Sequence, residues 1–198
     1  MTDMLTKKEK TRKRMLVAAG QSFRSNGFAG IGVDGIAKAA GVTSGAFYAH
    51  FGSKDGAFSA ALKDGLDEVI ENIPVIQKNN GDKWVEAFAK YYLGLAHRND
   101  LAGGCAMTTL SPEVARASPE MREAYEAKMT RIADLVADGL AGGSQDKRRS
   151  RAWAMLGVVT GGLTMARAVQ TRGIAEEIAE AIKGAAVKIA GPTQDCSG

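Results

Sequence analysis

Glycines at positions 27, 41 and 52 cut the start of the chain into three short segments, each repeating its apolar side chains at helical spacing. The first runs from about Lys7 to Asn26 with Leu16, Ala19 and Phe23 on one face, and Gly27 is placed to end it in a positive-φ conformation. The second, from about Val33 to Ala40, offers Ile36, Ala37 and Ala40. The third is capped by Thr43 or Ser44 and reaches Phe51, with Phe47 and Phe51 four apart on its inner side. Helices this short are not stable alone, so they must share one core. Gly41-Val42-Thr43 leaves room only for a tight turn between the second and third. Ser44, Gly45, Tyr48 and Ala49 then face outward, and small outward residues at the start of a helix allow close approach to a major groove.

Charge points the same way. Residues 1–54 hold nine Lys/Arg against three acids, a net +6, while the rest of the chain carries −2. The positive charge therefore sits at one end and suits a polyanion. With 45% hydrophobic and 24% charged residues the chain can bury a sizeable core. No apolar run approaches the roughly 18 residues needed to cross a bilayer, and no apolar segment follows the basic start as in a signal peptide. A cytoplasmic protein with no membrane partner is expected. Two cysteines, Cys105 and Cys196, make no disulfide framework, and two histidines, His50 and His97, make no metal cluster, so no metal and no cofactor are expected. Gly30-Ile31-Gly32-Val33-Asp34-Gly35 matches G-x-G-x-x-G, but a basic helix precedes it where the dinucleotide fingerprint needs a strand. With no Glu-x-x-His pair and no nucleophile elbow there is no catalytic residue to name, and an enzyme is not expected.

The remainder also reads as helix, giving an all-α chain with a DNA-binding unit at 1–52 and a helical ligand-binding and dimerisation unit at 53–198. A long helix is expected from Ser53 to Ile73, ended by Pro74; others from Asp82 to Arg98, from Ser118-Pro119 to about Leu140, from Asp146 to Gln170 and from Ile174 to Ala190, with a short segment around Cys105 to Val114. Residues 191–198 read as a frayed tail. Lys147, Arg148, Arg149 and Arg151 form a basic first turn that the helix dipole disfavours, read here as a solvated end.

The order Phe23…Gly27-Phe28, Val33…Ile36-Ala37…Ala40-Gly41-Val42, Phe47-Tyr48…His50-Phe51…Ser53-Lys54, behind a basic arm, resembles the tetracycline-repressor (TetR) family of one-component regulators. The resemblance is specific over about residues 10–60 and covers only the helical layout beyond. It implies an N-terminal three-helix DNA-binding domain, a divergent C-terminal ligand-binding domain, a fourth helix linking them, and dimerisation through the last two helices. It places Tyr48, His50 and Lys54 on the DNA backbone and Thr43, Ser44 and Gly45 near the bases. Ile31-Gly32 stands where the family often has a Thr or Ser pair, and Gly35 lies inside the short second helix.

Trp84, Phe88, Tyr92, Cys105, Met107, Tyr125, Met129 and Trp153 are candidates to line an apolar effector pocket, with Tyr91, His97, Met155 and Met165 in the same set; the same side chains would serve equally as core. Gly103-Gly104-Cys105 followed by Leu110 and Glu113 resembles a subgroup of these regulators, some of which respond to electrophiles or oxidants through cysteine. A buried, inert thiol is the commoner situation. Trp153, Gly157, Val158, Gly161 and Met165, with Ile178 and Ile182, form the candidate homodimer surface. The expected function is a repressor that binds a pseudo-palindromic double-stranded operator as a homodimer and is released by a small apolar effector or by thiol modification. The competing reading is a helical adaptor that binds another protein and no DNA.

Overall fold

A computed structural model describes residues 6–194. These residues form ten α-helices: α1 Lys7–Asn26, α2 Val33–Ala39, α3 Ser44–Phe51, α4 Lys54–Asn80, α5 Trp84–Leu93, α6 Leu95–Asn99, α7 Ala106–Val114, α8 Pro119–Asp138, α9 Gln145–Ala168 and α10 Arg172–Ala190. A 3₁₀ turn at Gly81–Lys83 joins α4 to α5, and the β-pairing among the described residues is one isolated bridge between Leu140 and Thr193. Cys196 lies outside the described residues.

Side-chain caps account for five of the ten helix starts. Thr6 and Glu9 form a reciprocal capping box on α1. Thr43 accepts from the Ala46 N–H on α3, Ser53 from Gly56 on α4, Ser118 from Met121 on α8 with Pro119 in the first turn, and Ser144 from Lys147 on α9. Gly27 and Gly41 take φ of +72° and +65°, a region that favours glycine, and so permit the turns on either side of α2. Gly32 gives α2 no side-chain cap; burial of Ile36 and Ala37 holds this short helix in place.

Two expected boundaries move. α4 does not end at Pro74 but continues to Asn80. Pro74 sits on the exposed side, while Ile73 and Gln77 are buried on either side of it, so packing carries the helix through the missing backbone donor. The segment expected as one helix from Asp82 to Arg98 is divided, because Gly94 adopts an extended ψ of 156° between α5 and α6.

α1, α2 and α3 pack on one another and, through α1 and α3, on the start of α4; α4, α5, α7, α8, α9 and α10 make the body. The expected division after residue 52 falls in the turn between α3 and α4. One contiguous set of buried side chains nevertheless runs from Met15 in α1 to Ala190 in α10, so head and body are not separated by a solvated linker. Phe23, Phe28 and Phe58 form an aromatic triad at the join, with ring centroids 5.2–5.9 Å apart. Deeper in the body, Trp84 Nε1 donates to the Gly139 carbonyl at 3.0 Å and Gln77 Nε2 to the Leu135 carbonyl at 2.8 Å. A Cβ on Gly139 would lie 2.3 Å from Gln77 Nε2, so a side chain there would have to push Gln77 away from the Leu135 carbonyl.

The basic start of α9 is not a solvated end. Arg149 pairs with Asp134. Arg148 donates to the Gly143 carbonyl and to Gln145. Arg151 donates to the carbonyls of Ala141, Gly142 and Ala190. Arg148 and Arg151 thus satisfy carbonyls of the loop before α9 and, at Ala190, of the last turn of α10.

Candidate DNA-binding head and effector cavity

α3 is anchored by Phe47, which is fully buried, with Phe51 half-buried beside it at 5.3 Å between centroids. Anchoring through these two positions turns Gly45, Tyr48 and Ala49 to solvent, and Tyr48 is 52% exposed. Thr43 and Ser44 stand at the N-terminal end of the same helix, but their hydroxyls have work inside the head. Thr43 Oγ1 accepts from Ala46 N–H at 3.2 Å, and Ser44 Oγ donates to Asp34 Oδ1 of α2 at 2.5 Å. His50 is half-buried in the last turn. Lys54 is half-buried, its ammonium 4.4 Å from the centroid of the Phe28 ring. Lys7, Lys8, Lys10, Lys13 and Arg14 are exposed along α1, and Arg12 lies over the Phe51 ring at 5.3 Å. The head thus presents a short helix with a small, polar outer face beside a row of cations.

In the body, a cavity of about 380 Å³ opens between α7, α8 and α9. Four of the expected effector residues, Met107, Tyr125, Met129 and Trp153, line it. Thr108, Ser111, Pro112, Leu156, Gly157, Thr160, Gly161 and Thr164 complete its wall, and none of the lining side chains is charged. Ser111 Oγ and Tyr125 Oη lie 2.6 Å apart, and the buried Thr108 hydroxyl has no partner among the described residues. Thr160 and Thr164 turn their hydroxyls back onto carbonyls of α9, exposing methyl groups.

The other four expected residues lie elsewhere. Trp84, Phe88 and Tyr92 are buried along α5 as a run of ring contacts and belong to the core, not to the cavity wall. Cys105 is also buried, and its thiol lies 3.8 Å from Tyr92 Oη. Burial pushes the Cys105 thiol above its ordinary range, and Tyr92 rises well above its own for the same first cause. His97 is pushed down, by burial first and then by Arg167.

Of the candidate dimer residues, Trp153, Gly157, Gly161 and Met165 are exposed on α9. Val158 and Ile178 are half-buried. Ile182 turns inward instead: a Cβ on Gly162 would lie 2.6 Å from its Cγ2, so the close approach that the glycine permits is between α9 and α10 of one subunit. Trp153, Gly157 and Gly161 also line the cavity.

Two contacts tie the head to the cavity wall. Phe28 N–H, in the turn after α1, donates to Glu113 Oε1 of α7 at 3.3 Å. Arg24 Nη1 of α1 donates to the Ala102 carbonyl, just before α7, at 3.3 Å. Arg24 offered no sequence signal beyond its charge; Glu113 was visible only as part of the Gly-Cys…Leu…Glu resemblance.

A buried-anchor helix-turn-helix on a helical body defines a DNA-binding regulator of bacterial type. The family model described as "Bacterial regulatory proteins, tetR family" matches residues 15–61, and "Transcriptional regulator LmrA/YxaF-like, C-terminal domain" matches residues 83–183, just over half of the chain. The chain belongs to the TetR family of transcriptional regulators. Among its relatives is the HTH-type transcriptional repressor NemR of Escherichia coli K12, 25% identical over 139 residues that cover 69% of this chain and 70% of the relative. The crystal structure of reduced E. coli NemR superposes with a TM-score of 0.73 at 21% identity, covering 88% of this chain and 96% of that one. A TetR-family regulator from Cytophaga hutchinsonii gives 0.76 at 17% identity, covering 96% and 98%. Among the described residues no helix is long and apolar enough to cross a membrane, and no group of three His, Cys, Asp or Glu could hold a metal ion.

Proposed function

We propose that the protein is a repressor that binds a pseudo-palindromic operator as a homodimer and lets go when a small, neutral, apolar effector enters the cavity between α7, α8 and α9. Two subunits would present two copies of α3 to successive major grooves, about one helical turn or roughly 34 Å apart. In that pose Thr43, Ser44 and Gly45 approach base edges, while Tyr48, His50 and Lys54 hold phosphates. The exposed stripe of Trp153, Gly157, Gly161 and Met165, with Ile178 of α10, would meet its own copy across a two-fold axis.

The observation that carries the reading is the double duty of α7. Met107, Thr108, Ser111 and Pro112 form one wall of the cavity, and Glu113 of the same helix holds the head through the Phe28 N–H. A ligand that displaces α7 would move that clasp and change the separation of the two heads, to which a fixed half-site spacing is sensitive. The lining carries no charge, so a neutral ring compound with one polar group, set against Ser111, Tyr125 and Thr108, suits it best. The burial of Cys105 favours such a ligand over direct attack on the thiol.

The test is Glu113→Ala, which removes the acceptor of the Phe28 N–H. A panel of neutral aromatic compounds is screened by quenching of tryptophan fluorescence, with Trp153→Phe as control, and hits are scored for release of operator DNA. The variant is expected to bind operator and hit as the wild type does, with release weakened by about fivefold or more, the scale of a typical allosteric coupling. Release unchanged in Glu113→Ala would contradict coupling through this clasp.

A further inference from the structure

This inference rests on the reading of α3 as the helix that enters the major groove. We propose that Asp34 sets the base preference of that helix by holding Ser44 as a hydrogen-bond acceptor, so that each half-site carries a base with an exocyclic amino group, adenine or cytosine, opposite the pair.

A serine hydroxyl has one proton and can otherwise read donors and acceptors alike. Here the proton is committed: Ser44 Oγ donates to Asp34 Oδ1 at 2.5 Å. What remains on Ser44 is lone pairs, and the ionised carboxylate of Asp34 has no proton to give. Position 45 is glycine and position 46 alanine, so neither adds a side-chain donor beside Ser44; the Thr43 hydroxyl accepts from the Ala46 N–H and keeps its own proton, which makes it a separate reading group. Asp34 is exposed, Ser44 half-buried and Gly45 exposed, so the pair lies at the open end of the reading helix.

Asp34 stands in the first turn of α2, where the helix dipole favours an acid, yet it is exposed beside the reading helix. It is one of three acids among the first 54 residues, and among the described residues it makes no salt bridge. On a surface that approaches phosphates, an unpaired carboxylate is repelled. Its repulsion is offset where it accepts a hydrogen from a base edge, and in the major groove the donors are adenine N6 and cytosine N4. Guanine O6 and N7 and thymine O4 are acceptors, which the Asp34–Ser44 lone pairs would oppose.

Selection of duplexes from a random pool by wild-type protein, Asp34→Ala and Ser44→Ala tests this, with melting curves confirming that the surface variants fold. The wild type is expected to fix an amino base, on one strand, at one position per half-site. Asp34→Ala should lose amino-over-keto discrimination at that position and keep the rest of the site, and Ser44→Ala should weaken it there. Replacing the selected adenine by purine, or cytosine by 2-pyrimidinone, removes only the amino group; it should cost the wild type about tenfold in affinity and Asp34→Ala less than about twofold. If Asp34→Ala selects the same site with the same discrimination, or if the amino deletion is harmless to the wild type, the assignment to Asp34 is wrong while operator binding stands. A wild type that enriches no sequence at all overturns both this inference and the DNA-reading role of α3.

Discussion

Phe47 and Tyr48 are adjacent in the chain and opposite in role. The first is fully buried and fixes α3 to the head; the second is 52% exposed and free to meet a phosphate. Tyr48→Ala is therefore expected to leave the melting temperature nearly unchanged and to weaken operator binding by about tenfold, read by fluorescence anisotropy beside a thermal melt. Full affinity would remove Tyr48 from the interface. This pair was legible in the sequence because a four-residue spacing of large aromatics in a short helix leaves only one face to bury. Asp34 was not, because its role depends on a hydrogen bond to a residue ten positions later. Cys105 shows a different limit. The resemblance to a cysteine-sensing subgroup stood against the commoner case of a buried, inert thiol, and the chain buries it against Tyr92. In a Cys196→Ser background, maleimide should label Cys105 more than about tenfold slower in the native protein than in the unfolded chain, because both access and thiolate fraction are lowered. Equal rates would return the thiol to consideration as a sensor.

Among the elements, α4 departs most from the sequence reading. The sequence predicts a disturbance at Pro74, yet the helix runs through it because Ile73 and Gln77 are held on its inner side. Local propensity was outweighed by packing that only the folded chain supplies. Since Pro74 is exposed and makes no core contact that alanine would lose, Pro74→Ala is expected to stabilise the protein by up to about 3 kcal/mol, measured by denaturant unfolding. Destabilisation would mean that a kink at this point is required for packing. α7 is the element whose importance was least visible. At nine residues it looked like a connection, but it walls the cavity and holds both Glu113 and, just before it, the carbonyl that accepts from Arg24.

At the scale of the whole molecule, the all-helical layout and the basic head were readable from periodicity and charge. The division of the aromatic residues between core and cavity was not. Trp84, Phe88 and Tyr92 have the same chemistry as Tyr125 and Trp153, and only the packing of α5 inside the body decides that the first three are core. In the proposed dimer the exposed face of α9 meets a second copy. Met165 is half exposed on it and takes no part in the cavity. Met165→Glu would place two like charges near the two-fold axis; it is expected to yield folded monomers by sedimentation and to lower operator affinity, since one head then binds without its partner. A dimer that survives this change would move the interface elsewhere.

In the proposed function two of these heads read one operator. Fluorescence anisotropy with the DNA upstream of the protein's own gene, across a salt series and against a scrambled duplex, measures it directly. Tight, sequence-selective binding is expected, with two subunits per site and an affinity that falls steeply with salt, by a log–log slope of about −0.9 for each phosphate neutralised. Absence of binding even at low salt, or binding indifferent to salt, would contradict it.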